Sequence, residues 1–148
     1  MLKSSRQILV VEDDPVIADM LKELLTGAGY QVEWAPDVIT ALSSLERRAI
    51  DLITLDVELG TYSGSGLLAL LKTDPHTRTI PVIVVSSSEV EPEIRRLAEN
   101  VLSKPFSIGP LLQMVGNALE RRPASIEPWR ESVPDDTLEL EGAREILD

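Results

Sequence analysis

A chain of 148 residues carrying a net charge of −11 has room for one domain with a full core and little else, and its acidity argues against phosphate-contact binding of nucleic acid. Zero cysteines exclude disulfides, thiolate metal sites and thiol nucleophiles, and a single histidine, His76, rules out a multi-histidine metal site within the chain. With no 18-residue apolar run and no charged-then-apolar leader, the expectation is a soluble, cytoplasmic protein with no membrane association.

The first apolar run, Gln7 to Val11, reads as a buried strand that ends on Glu12-Asp13-Asp14. Asp14-Pro15 is a helix start, with Asp as cap and Pro at the first helical position. Ile17, Met20, Leu21, Leu24 and Leu25 continue it at helical spacing, and Gly27 and Gly29 end it. Gln31 to Ala35 alternates as a short second strand. Asp37 then caps a second helix through Ile39, Leu42 and Leu45, which closes on Arg47 and Arg48.

A third strand, Asp51 to Asp56, is largely apolar and ends on a single carboxylate. The stretch from Gly60 to Gly66 has a loop composition, and without a following Lys-Ser/Thr pair its glycines at 60, 64 and 66 read as turn glycines. Leu67, Leu68, Leu70 and Leu71 mark a third helix that stops before Pro75, and His76 falls in the surface loop beyond it. Ile80 to Val85 is a fourth buried strand running into Ser86-Ser87-Ser88. A short helix from about Val90 to Ala98, a strand from Asn100 to Ser103 and a helix from Ser107 to about Arg121 complete the series. Five strands alternating with five helices predict an α/β fold with a doubly wound, five-stranded parallel sheet. Residues 123–148 form a separate acidic, proline-containing tail or linker, and residues 124–148 alone hold a net of −6.

Ligands in open α/β sheets bind at the carboxyl ends of the strands. If the first and third strands are parallel neighbours, Glu12, Asp13 and Asp56 meet at that edge, and their mutual repulsion calls for a cation or a proton. Ser86 and Lys104 end up at the same edge. Asp14 reads as a helix cap rather than a ligand.

These residues, in register, resemble the receiver domain of two-component response regulators, the CheY-like family. The likeness covers roughly residues 6–121. It rests on Val10-Val11-Glu12-Asp13, Leu55-Asp56 with Gly64 eight residues on, Pro81 to Ser86, Lys104-Pro105-Phe106 and the run Gly29-Tyr30-x-Val32-x-x-Ala35. The resemblance implies a flavodoxin-like sheet of order 2-1-3-4-5 with helices on both faces. It also implies that Asp56 accepts a phosphoryl group from a sensor histidine kinase or phosphotransfer protein, with Mg2+. By the same likeness Asp13 and Asp56 ligate the metal directly, Glu12 through water, and Glu58 through its backbone carbonyl. Lys104 pairs with Asp56 and then with the phosphoryl group, and the Ser86 hydroxyl carries the signal by moving toward it.

Several positions depart from the family pattern. The interval from Ser86 to Lys104 is about one helical turn short. Leu97-Ala98 stands in place of Gly-Ala, Gly60 in place of proline, and Val101 where many members have an aromatic ring. These departures bear on the output mechanism, not on the phosphoryl chemistry. The expected protein is a phosphorylation-switched module with a protein output partner and no direct nucleic-acid contact, a homodimer being one option. Two other readings are a degenerate receiver acting as a constitutive docking or dimerisation module, and a haloacid-dehalogenase-type phosphatase. The latter family carries Asp-x-Asp after its first strand, whereas Asp56-Val57-Glu58 follows the third here.

Overall fold

The computed structural model describes residues 5–59 and 64–121. Strands and helices alternate: β1 (Gln7–Val11), α1 (Pro15–Gly27), β2 (Gln31–Ala35), α2 (Val38–Arg47), β3 (Leu52–Asp56), α3 (Gly64–Thr73), β4 (Val82–Ser86), α4 (Pro92–Leu97), β5 (Asn100–Ser103) and α5 (Ile108–Glu120). All strand pairs are parallel and the order is β2-β1-β3-β4-β5, as expected from the sequence. Gly60 and the tail at 123–148 lie outside the described residues.

Strand alternation divides the apolar residues into two cores, one on each face. Leu9, Val11, Ile53, Leu55, Val82 and Val84 pack with Leu45 of α2 and Leu67, Leu68 and Leu71 of α3. Ile8, Val10, Leu52, Ile83 and Val85 pack with Leu21 and Leu25 of α1 and with Leu111 and Val115 of α5. Each of these side chains contributes about 1.5–3 kcal/mol by leaving water. Burial on both faces is why β3 and β4 read as unbroken apolar runs.

Local chemistry sets the helix ends. The Asp14 carboxylate accepts the Val16 N–H at 2.9 Å and Asp37 accepts the Thr40 N–H at 2.7 Å, so both expected caps form. Gly29 supplies the left-handed turn after α1, with φ 102°, whereas Gly27 is still helical. Among the boundaries that differ from the expectation, two have a clear local cause. β4 starts at Val82 rather than Ile80, because Pro81 has no N–H and the Ile80 N–H closes a turn onto the Thr77 carbonyl at 3.0 Å. Gly64 and Gly66 are helical residues of α3, not turn glycines. A Cβ at Gly64 would sit 2.4 Å from the Asp56 carbonyl oxygen and 2.5 Å from the Val57 Cα, so the helix start presses directly on the end of β3. Helix α4 is short, as the spacing predicted: six residues, one of them buried (Ile94), and no side-chain cap at Glu91.

Candidate functional site

Alternation also decides which side chains meet at the carboxyl edge. Val10, Leu52 and Leu102 face the core under α1 and α5, so Glu12, Asp56 and Lys104, an even number of residues further on, emerge on that same side. One carboxylate oxygen from each of Glu12, Asp13 and Asp56 lies within 4.8 Å of the others. Glu12 and Asp56 are buried, at 1% and 3% exposure, while Asp13 is open to solvent.

Lys104 closes the group. Its Nζ donates to Asp56 Oδ2 at 3.3 Å and lies 3.2 Å from Glu12 Oε1. The other Asp56 oxygen accepts the Glu58 N–H at 2.8 Å, and Glu12 Oε2 accepts the Asp14 N–H at 3.2 Å. Among the described residues Glu12 Oε1 is buried without a well-aligned hydrogen bond, its contact with Lys104 being an ion pair only. Burial, then hydrogen bonding with Asp56 and its charge, push the Glu12 carboxyl up to about 7, against the opposing pull of Asp14 and Lys104. Burial works against the Lys104 ammonium, yet Glu12 and Asp56 outweigh it and hold its pKa above the usual lysine value.

Two carboxylates at this separation repel by roughly 3–4 kcal/mol at an effective dielectric of about 20. A single ammonium cannot offset three of them. Oxygen-only donors, one of them open to water, and an under-coordinated buried oxygen on Glu12 match what a hard divalent cation requires.

Ser86 and Glu58 occupy the neighbouring loops. Ser86 ends β4 next to β3, where Asp56 pairs with Val85. Its hydroxyl donates to the Ser88 carbonyl at 3.0 Å and accepts the Ser88 N–H at 3.1 Å, so it is engaged within its own loop. The Glu58 carboxylate reaches across to that loop rather than to the acid group. It accepts the Ser88 hydroxyl at 2.6 Å, the Ser87 hydroxyl at 2.7 Å and the Ser87 N–H at 3.2 Å. Those bonds, the Ser88 hydroxyl first, lower its pKa to about 2. Glu58 is accordingly outside the carboxylate cluster formed by Glu12, Asp13 and Asp56. His76 stays far from this chemistry, bonded to Asp74 at 3.0 Å.

Sequence reasoning missed Trp34, whose indole N–H donates to the Glu12 carbonyl at 2.7 Å. An aromatic in an edge strand carries no signal for such a contact. Nor does the run Ser86-Ser87-Ser88 signal that the hydroxyls of Ser87 and Ser88 hold Glu58.

The chain matches the family model of the response regulator receiver domain over residues 8–116. It is 35% identical over 128 residues to the phosphate regulon transcriptional regulatory protein PhoB of Klebsiella pneumoniae, covering 83% of this chain and 56% of that protein. The chain thus spans about half the length of that relative. Among solved structures it resembles the receiver domain of the sensor histidine kinase PA1611 of Pseudomonas aeruginosa, which holds a magnesium ion in its active site cleft. That likeness has a TM-score of 0.72 and 25% identity, over 79% of this chain and 99% of that one. The chemotaxis protein CheY4 of Vibrio cholerae matches at a TM-score of 0.72 and 26% identity, over 78% of this chain and 100% of that one. With its sheet order, its edge carboxylates and these likenesses taken together, the chain belongs to the family of response regulator receiver domains.

Proposed function

We propose that this receiver is switched by phosphorylation of Asp56, the donor being a phosphohistidine on a sensor histidine kinase or phosphotransfer protein. The convergence of Glu12, Asp13 and Asp56 beside Lys104 carries this reading. An Asp56 carboxylate oxygen attacks phosphorus, the phosphorus–nitrogen bond breaks, and its electron pair returns to the imidazole. An acyl phosphate is left on Asp56. Attack of water on that phosphorus later releases inorganic phosphate and restores the carboxylate.

Asp13 and Asp56 would hold Mg2+ directly, Glu12 through water and Glu58 through its main-chain carbonyl. When bound, the ion neutralises charge on the attacking and phosphoryl oxygens. Lys104 exchanges its bond to Asp56 for one to a phosphoryl oxygen. The Ser86 hydroxyl gives up Ser88 for another, and that movement alters the surface read by a protein output partner or a second copy of the chain. Modification and hydrolysis at Asp56 are the only reactions assigned to the protein, in a cytoplasmic setting. Residues 1–122 form the receiver, and 123–148 the tail or linker. Nucleic-acid contact is not assigned to these residues, whose net charge of −11 opposes it.

Acetyl phosphate added with and without magnesium tests the reading. The expected result is one phosphoryl group per chain, dependent on magnesium and absent in Asp56→Asn. Failure to take up phosphate would leave only a docking role, and steady turnover of a generic phosphoester would favour a phosphatase.

A further inference from the structure

We infer that Trp34 is a positioning residue for Asp13, acting through the main chain of Glu12, an inference that rests on the magnesium-dependent reading above. Trp34 lies in β2, the edge strand, opposite Val10 of β1, and is 42% exposed. Its indole N–H donates to the Glu12 carbonyl at 2.7 Å, and the Glu12 N–H donates to the Ala35 carbonyl at 3.1 Å. Both main-chain groups of Glu12 are therefore held by β2.

The Glu12 carbonyl and the Asp13 N–H belong to one planar peptide unit. Fixing the oxygen fixes the direction in which the chain enters Asp13. This matters because the three acids are secured differently. Glu12 and Asp56 are buried and in contact with Lys104, and each accepts a main-chain N–H. Asp13 is exposed, and no side-chain hydrogen bond fastens its carboxylate among the described residues. Its place in the cluster depends on the backbone beneath it, and the indole clamps that backbone. A surface tryptophan can satisfy its N–H with water, so donation to this carbonyl rather than to solvent is specific to the site.

The test is Trp34→Phe, which keeps the ring and removes the N–H. Magnesium affinity is measured by calorimetry, and thermal midpoints are measured with EDTA and with saturating magnesium. Loss of one such hydrogen bond predicts a magnesium Kd about two- to tenfold higher. The rise in midpoint at saturating magnesium shrinks accordingly, while the EDTA midpoint changes little. An unchanged Kd, or an equal drop in midpoint with and without magnesium, makes Trp34 a structural residue and overturns the inference. Where the unsubstituted chain binds magnesium and Trp34→Phe binds it equally well, only this inference fails; where the unsubstituted chain binds none, the functional reading fails with it. Should Trp34→Phe not fold, a Trp129→Phe chain isolates the emission of Trp34. A change that saturates with magnesium supports the coupling, and a flat titration rejects it.

Discussion

The Lys104 ammonium donates to the Asp56 carboxylate at 3.3 Å, joining the ends of β3 and β5 across 48 residues of sequence and over the intervening β4. With Glu12 3.2 Å away on its other side, Lys104 is the compensating charge for two buried acids. Replacing it with methionine leaves both without a cation. Lys104→Met is expected to lower the unfolding free energy in EDTA by about 1–3 kcal/mol, the partial protonation of Glu12 sparing the rest of the larger penalty typical of a broken buried pair. Urea titration with an unchanged m-value would measure it; equal midpoints for the two proteins would contradict the role given to Lys104.

Gly64 touches the same site from the opposite side. An added Cβ meets main-chain atoms at 2.4 and 2.5 Å, and neither can swing aside as a side-chain tip would. Gly64→Ala should therefore destabilise the protein by about 1–3 kcal/mol and slow phosphate uptake at Asp56, whose carbonyl oxygen takes the closest contact. Gly66→Ala serves as the control, since nothing among the described residues lies within 4 Å of its Cβ position. Similar losses in both variants would point to a general helix effect instead.

Thr54 presents the reverse case. It is fully buried in β3, one turn of the pleat before Asp56, and its hydroxyl oxygen has no hydrogen-bond partner among the described residues. Valine has the same branched shape without the unsatisfied group. Thr54→Val should raise stability by about 1 kcal/mol, read as a higher urea midpoint. A loss of stability would mean that the hydroxyl is satisfied through bound water.

Acid should loosen α2 through its cap. Hydrogen bonds from Thr40 hold the Asp37 carboxyl below its ordinary value. A carboxylate with a depressed folded-state pKa contributes stability that is complete above the unfolded value of 3.8 and fades as pH falls through the folded one. Asp37→Asn keeps a capping oxygen but removes the titration. Its midpoint should thus depend less steeply on pH below about 4 than that of the unsubstituted chain. Parallel pH profiles for the two proteins would remove this assignment.

Much of this arrangement is legible in the residues because it follows from period and polarity. Apolar runs fix the strands, alternation with helices fixes parallel pairing, and parity from Val10, Leu52 and Leu102 brings Glu12, Asp56 and Lys104 to one edge. Contacts that depend on a main-chain partner are not legible in this way. The Trp34 indole meets a carbonyl 22 residues away, and any residue type at that position would offer the same oxygen. The resemblance assigns the Glu58 carbonyl to the metal and has nothing to say about its carboxylate. Serines 29 and 30 positions later capture that group instead. Ile80 misleads for a different reason: it is buried like a strand residue, but a turn onto Thr77 uses its N–H.

Helix α4 has fewer turns than an isolated helix needs to hold itself together, and Ile94 is its one anchoring side chain in the core. A segment fastened at a single point can come away without dragging the sheet with it. Amide protons over residues 93–97 should exchange with deuterated solvent well ahead of those in α3, whose Leu67, Leu68 and Leu71 are all sunk in the core. The edge that carries the acids can stay rigid while the surface beside it is rebuilt, and rearranging that surface costs little more than the release of one isoleucine.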